Sequence, residues 1–311
     1  MTNYSFSSFY SSSKMAIAIL CSGYLITIFG IFGNSLSLYY FMSQATSNSQ
    51  PRNTETSTTD LFVMLNCFDF MVCTFGFVLL FITMKDQIIL RMVLNMICLI
   101  SIELTYFITS LLSVRRLVNL YWPLYLVKRK TLNISIAFFS FITIAIELSS
   151  FISRLRSKNL VGYVDKIRCI AYISLIAIII SSSVISLIKL KQSYTQDQHR
   201  RTKYATITVG ILCTIFCLCN TVPVIVHVMV AFHPRGADSV PKILDKLAIT
   251  VLTPLNSASN PVVYITRRSD MRTFLTTKCR GVIRYCKCGS RDTRGRSRKV
   301  VKRQNTEETA S

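Results

Sequence analysis

Long apolar runs, separated by short polar stretches, set the rhythm of this chain. A helix that crosses a bilayer needs about 20 mostly apolar residues. Seven segments meet that requirement: 15–42, 61–84, 92–116, 131–153, 167–190, 204–232 and 243–265. Lys85, Asp86 and Arg91 interrupt one nearly continuous run, and a helical hairpin turning at those charges is the simplest reading. The first segment is too long for the apolar core of a signal peptide and lacks a small-residue cleavage site, so an uncleaved anchor is expected. The pattern predicts an all-α membrane protein: a seven-transmembrane helix bundle over 15–265 after an extracellular amino terminus at 1–14.

Composition agrees. Of the 311 residues, 51% are hydrophobic and only 16% charged. The net charge of +22 would point to nucleic acid in a soluble protein. Its placement argues instead for the positive-inside tendency. With the amino terminus outside, Arg52, Arg115, Arg116, Lys128, Arg129, Lys130, Lys189, Lys191, Arg200, Arg201, Lys203 and the whole basic tail fall on the cytoplasmic side. No nucleic-acid partner is expected.

The first inner connection, 43–60, is polar and rich in Ser and Thr, which reads as a flexible connector. After Thr266, Met271, Phe274 and Leu275 share a helical face with Arg267, Arg268 and Arg272 around them. This predicts a short amphipathic eighth helix over 266–280 on the inner leaflet, held by apolar burial and anionic lipid. Residues 281–311 are basic, poor in apolar groups and expected to be disordered. Cys21, Cys67, Cys73, Cys213, Cys217 and Cys219 lie in apolar segments and act as small hydrophobes. Cys279, Cys286 and Cys288 sit beside basic juxtamembrane residues, a palmitoylation setting, and lack the fourth ligand a zinc site needs. Asn3-Tyr4-Ser5 is an outer-side glycosylation sequon, whereas Asn133-Ile134-Ser135 falls at the inner face.

Ionisable groups in hydrocarbon cost at least about 2.5–3.5 kcal/mol, so each calls for a reason. Asp69 in the second segment, Asn34 in the first and Asn260 in the seventh fall roughly 8–13 Å from the inner boundary at 1.5 Å per residue. Polar glue between helices, worth about 0.6 kcal/mol per contact, accounts for the asparagines but poorly for a carboxylate. Asp69 is therefore expected to bind an ion, accept several hydrogen bonds or titrate. Asn256, Ser257 and Asn260 can serve it, while Pro261 frees a carbonyl for the same polar layer and gives a point of bending.

These residues resemble the rhodopsin-like G-protein-coupled receptors. Asn260-Pro261-Val262-Val263-Tyr264 matches their NPxxY motif, Gly33-Asn34 the GN of their first helix, and Leu65 to Asp69 the signature of their second. Arg116, seven residues before Pro123, sits where the family's DRY arginine precedes an inner-loop proline. Phe216 to Pro223 is similar to the sixth-helix FxxCWxP. The resemblance covers about residues 15–280. It implies a plasma-membrane receptor coupled to a heterotrimeric G protein, and no enzyme. It also implies a sodium pocket at Asp69, Thr105, Asn256, Ser257 and Asn260, with sodium as an allosteric modulator rather than a cofactor. Activation would use Arg116, Pro223, Pro261 and Tyr264. Departures are present. Arg115 replaces the acidic neighbour of the motif arginine, which predicts raised basal signalling. Thr221 stands at the tryptophan toggle, and Arg91 at the third-helix disulfide cysteine. A Cys98–Cys169 bridge is disfavoured, because Cys98 lies too deep.

The ligand is less constrained. Pro254 replaces the lysine to which opsins attach retinal, and Cys98 the aspartate of amine receptors. Cys98, Glu103, Glu147 and Thr221 are the candidate ligand-pocket residues. The second outer connection, 153–168, carries Arg154, Arg156, Lys158, Lys166 and Arg168 against Asp165. A basic vestibule there would steer anionic ligands; otherwise it is a solvated loop. CNTVP resembles invertebrate neuropeptide receptors, making a peptide the first expectation and a chemosensory small molecule the second. A transporter also uses broken helices and midplane charges, but would show repeat-related segments, and none is evident. No nucleophile–base pair, HExxH or phosphate loop points to an enzyme.

Overall fold

The structure, a computed structural model, describes residues 6–47, 53–81, 88–122, 129–156, 159–192, 200–232, 244, 247–278 and 280. Six long helices come first: α1 (Phe6–Ser47), α2 (Asn53–Phe81), α3 (Ile88–Tyr121), α4 (Arg129–Arg156), α5 (Asn159–Gln192) and α6 (Arg200–Phe232). A π-helical turn, Ala248–Leu252, then leads into α7 (Thr253–Arg267). The described residues are helical almost throughout. All of α1 to α6 are long and apolar enough to cross a membrane.

Helices outrun their apolar windows. The connector expected over 43–60 is largely helical, since α1 continues to Ser47 and α2 begins at Asn53. The basic loop expected over 153–168 is likewise taken up by α4 and α5, apart from 157 and 158, which lie outside the described residues. Hydropathy marks where lipid ends, but nothing obliges a hydrogen-bonded helix to stop there. The π turn has a local cause. In a regular α-helix the ring of Pro254 would crowd the carbonyl four residues earlier, that of Thr250. The wider turn falls immediately before that proline, and the Thr253 N–H reaches back five residues to the Ala248 carbonyl.

The chain divides into two units, Met1–Tyr264 and Ile265–Ser311. In the second unit, 269–278 is helical, with Met271 buried, Phe274 and Leu275 half-buried, and Arg272 and Thr273 exposed. The first unit exposes large apolar side chains and buries polar ones. Leu25, Phe32, Phe141 and Leu218 are exposed, whereas Thr27, Asn34, Ser37 and Asp69 are buried completely. This pattern suits a lipid surround, where polar side chains must find partners inside the bundle or on their own helix.

Close packing of α1 rests on three glycines. A Cβ on Gly23 would come 2.8 Å from the Thr250 carbonyl oxygen, and one on Gly33 would come 2.9 Å from the Pro261 ring. One on Gly30 would strike Cys73 Sγ and lie 3.2 Å from Ala258 Cβ. These residues bring α1 against α2, the π turn and α7 as small residues do in membrane bundles. Between α3 and α5, the Ser113 hydroxyl is hydrogen-bonded to those of Ser182 (2.6 Å) and Ser183 (3.0 Å). A core of Tyr106, Tyr172, Ile179, Val209, Cys213 and Phe216 joins α3, α5 and α6.

Gly30→Val should destabilise the protein by about 1–3 kcal/mol through overpacking. Gly76→Ala, where the new Cβ meets nothing closer than 3.9 Å, should be neutral or mildly stabilising. Thermal unfolding of the two purified variants checks the contrast, and equal melting temperatures would contradict it.

Candidate functional site

Pro261 has no N–H, so within α7 the Ser257 carbonyl loses the donor a regular helix would provide. Asn34 of α1 replaces that donor: its Nδ2 donates to Ser257 O at 3.1 Å and to its own helix at Gly30 O, 2.9 Å. The approach is close because position 33, beside it, is glycine. Pro261 thus becomes an attachment point between helices instead of a defect.

Asp69 of α2 lies one step away and is fully buried. Asn260 Nδ2 donates to its Oδ2 at 2.5 Å, and the Thr105 hydroxyl of α3 donates to Oδ1 at 3.4 Å. Ser257 also hydrogen-bonds the carboxylate through its side chain. Helices α2, α3 and α7 therefore converge on one carboxylate, and α1 holds the segment that presents two of its partners. Asn256 is buried, but no hydrogen bond joins it to Asp69 among those resolved. One carboxylate and two hydroxyls form an oxygen donor set suited to a small hard cation. These residues fit the sodium ion that the resemblance implies, with Asp69, Thr105 and Ser257 as the groups that would hold it.

Toward the next turns of α7, Tyr264 is fully buried. Its ring stands edge-on to Phe41 and Phe62, each 5.4 Å away, while those two rings stack on one another at 5.4 Å. Pro223 lies inside α6 as expected. In α3, Arg116 is half-buried and Arg115 is buried, with the Asp60 carboxylate of α2 as a charged neighbour. Arg115 thus meets an acid across the interface between α2 and α3.

A second polar cluster was only half anticipated. Glu103 and Glu147 are buried, at 7% and 2% exposure, so neither faces lipid. The cation between them is Arg168, counted with the basic outer connection although it also opens the fifth apolar segment; it lies in α5 with 4% exposure. Its Nε donates to Glu103 Oε1 at 3.1 Å, its Nη1 to Asp165 Oδ1 at 2.8 Å, and its Nη2 to Glu147 Oε1. The Tyr172 hydroxyl donates to Glu103 at 3.2 Å. Tyr172 stacks on Tyr106 at 5.0 Å, and Tyr106 meets Phe216 of α6 edge-on at 4.6 Å. Asp165, Arg168 and Tyr172 follow the spacing of one helical face, a signal that two carboxylates in search of a cation could have exposed.

Other expectations fare differently. Thr221 is not in the interior: it is exposed, and its hydroxyl returns to the Cys217 carbonyl of its own helix at 2.6 Å. Polar threonine tolerates that position because the bond within α6 satisfies it. Cys98 is half-buried, and both it and Cys169 are free thiols. Asn3, Cys286 and Cys288 lie outside the described residues, as does Cys279. Among the described residues, no group of three or more His, Cys, Asp or Glu could hold a metal.

Fold and site together define a multi-pass helical membrane protein whose polar chemistry is buried between its helices. Compared with protein-family models and with curated proteins, the chain finds no match in either.

The Asn34 bond to Ser257 can be isolated by a double-mutant cycle. Asn34→Ala should cost about 1 kcal/mol, because the Ser257 carbonyl is left without its donor. In a Pro261→Ala background, alanine restores the α-helical N–H, and the same substitution should cost less than half as much. Denaturant unfolding in detergent measures both; identical costs would remove the bond from the account.

Proposed function

We propose that this protein is a receptor of the rhodopsin-like type, converting binding of an extracellular ligand into activation of a heterotrimeric G protein. The observation that carries the reading is the convergence of Asn34 on the carbonyl freed by Pro261 and of Thr105 and Asn260 on the Asp69 carboxylate. In this reading the π turn and α7 complete a seventh span, and 269–278 is the membrane-surface helix. The amino terminus faces out, the tail faces in, and the bundle resides in the plasma membrane.

The arrangement supports a two-state element. Asp69 joins three helices through hydrogen bonds that a displacement of α7 would break, and a bound cation would strengthen the set that holds them together. Tyr264 is packed away behind Phe41 and Phe62, and the active state would release it. Pro223 weakens α6 at the level where that helix would swing. The contiguous rings Tyr172, Tyr106 and Phe216 link the charged cluster to α6, giving a packed route from ligand site to moving helix. Arg115 beside Asp60 provides a restraint across α2 and α3 in place of one within α3. A peptide is the first expected ligand. The transporter alternative lacks any repeat-related pairing of segments to support it.

Two measurements test the reading without a known ligand. Co-expressed with a promiscuous G protein, the chain should raise basal nucleotide exchange above that of membranes lacking it; no increase, combined with solute flux, would favour a transporter. Sodium, compared with potassium at equal ionic strength, should raise the melting temperature of the purified wild type. Asp69→Asn should abolish that difference, and a persistent sodium effect would remove Asp69 from the ion site.

A further inference from the structure

Three consecutive serines on α5 use their hydroxyls differently. Ser181 donates to the Ala177 carbonyl at 2.7 Å and Ser182 to that of Ile178 at 2.6 Å, each within its own helix. Ser183 turns instead to α3. Its hydroxyl lies 3.0 Å from that of Ser113, which in turn lies 2.6 Å from that of Ser182. A serine has one proton to give, so these contacts have a direction. The Ile179 carbonyl is the other acceptor within reach of Ser182 and Ser113, but it is farther, at 3.2 and 3.4 Å. With the Ser182 proton on Ile178, Ser113 donates to Ser182. With Ser113 committed, Ser183 donates to Ser113.

Every hydroxyl proton is then in use, yet a fourth group joins the set. The Cys213 thiol of α6 hydrogen-bonds both Ser183 and Ser113. It can do so only as the donor, through its S–H. The chain therefore starts on α6 at Cys213, passes through Ser183, Ser113 and Ser182, and ends on a backbone carbonyl of α5. Cys213 precedes Pro223 by about 15 Å of helix, on the side toward Arg200. It packs with Val209 and Phe216 in the core that α6 shares with α3 and α5. It also borders a small cavity, with room for about one water, shared with Leu65 of α2, Thr109 of α3 and Asn260 of α7. A thiol is a weak donor, suited to a contact that holds a helix and releases it at small cost.

We propose that the Cys213 thiol is a latch, holding the Arg200 side of α6 against α3 and α5 until that part of the helix moves away. Opening it takes the thiol from Ser183 and Ser113 but leaves the hydroxyl bonds from Ser183 to Ser113 and from Ser113 to Ser182 intact. The contact between α3 and α5 therefore survives while α6 departs. The competing account is packing alone, since a small thiol in an apolar core needs no partner. The latch's part in signalling rests on the receptor reading; the hydrogen-bond chain does not.

The test uses the full chain in detergent, with methyl methanethiosulfonate as a small thiol probe and peptide mass spectrometry to follow Cys213. The buried thiol of Cys73 is the internal reference. Ser183→Ala removes one acceptor of the thiol proton and should speed labelling of Cys213 about threefold or more, with Cys73 unchanged. Ser183→Thr keeps the hydroxyl and should restore the wild-type rate. Ser113→Ala removes the other acceptor, should act as Ser183→Ala does, and keeps the test valid if that variant does not fold. Ser182→Ala lies beyond the bonds that reach α6 and should leave Cys213 protected. Unchanged labelling in Ser183→Ala and Ser113→Ala, or an equal rise in Ser182→Ala, would overturn the proposal. Basal nucleotide exchange on a promiscuous G protein should rise with Cys213 labelling. Exchange that is present in the wild type but no higher in Ser183→Ala would overturn the latch's part in signalling. If labelling responds while exchange is absent throughout, the receptor reading fails and the latch stands.

Discussion

A carbonyl that has lost its donor in a medium without water must find another, and the bundle is arranged around that requirement. Pro261 creates the vacancy at Ser257, and Asn34 meets it from a neighbouring helix. The same stretch of α7 offers Asn260 and Ser257 to Asp69, so three needs are met within two helical turns. Each partner also depends on geometry set elsewhere. Without glycine at 33, α1 could not lie close enough to Pro261 for the amide to reach. Local chemistry and helix packing are one constraint here.

The charged cluster on α3, α4 and α5 follows a different logic. Asp69 is served by neutral donors, whereas Glu103 and Glu147 are served by an ion. A guanidinium can spread its N–H groups over several carboxylates at once, which an ammonium could not do with the same fixed geometry. Such a cluster ties three helices together with directional bonds. The aromatic stack from Tyr172 to Phe216 means that a change in this cluster would be felt in α6.

Much of this was legible in the sequence. Hydropathy located all six long helices, because lipid imposes its thickness on composition. The meeting of Asn34, Asp69 and Asn260 could be read from depth alone, since residues at one level on adjacent helices need only the correct facing. Facing itself is what failed. Thr221 shares a level with buried groups but points outward, and one intrahelical bond makes that inexpensive. Arg168 was grouped with the outer connection because it stands at the very start of the fifth apolar segment, whereas α5 extends back to Asn159. Nor could sequence show the idle hydroxyl of Ser150, whose neighbours of the same type are both occupied.

The π turn at Ala248–Leu252 has a consequence for azimuth. One surplus residue in a single turn offsets the facing of everything after it by about 100° relative to an unbroken α-helix. Upstream of that offset, Leu244 and Ala248 pack with Val226 and its neighbours on α6; downstream, Gly30 and Gly33 of α1 receive Ala258 and Pro261. The turn acts as a phase adjuster, letting the segments on its two sides address two different neighbours. Shortening the chain there by a single residue would rewind the helix and swing the whole Asn-Pro face away from Asp69, with no side chain in the polar layer altered.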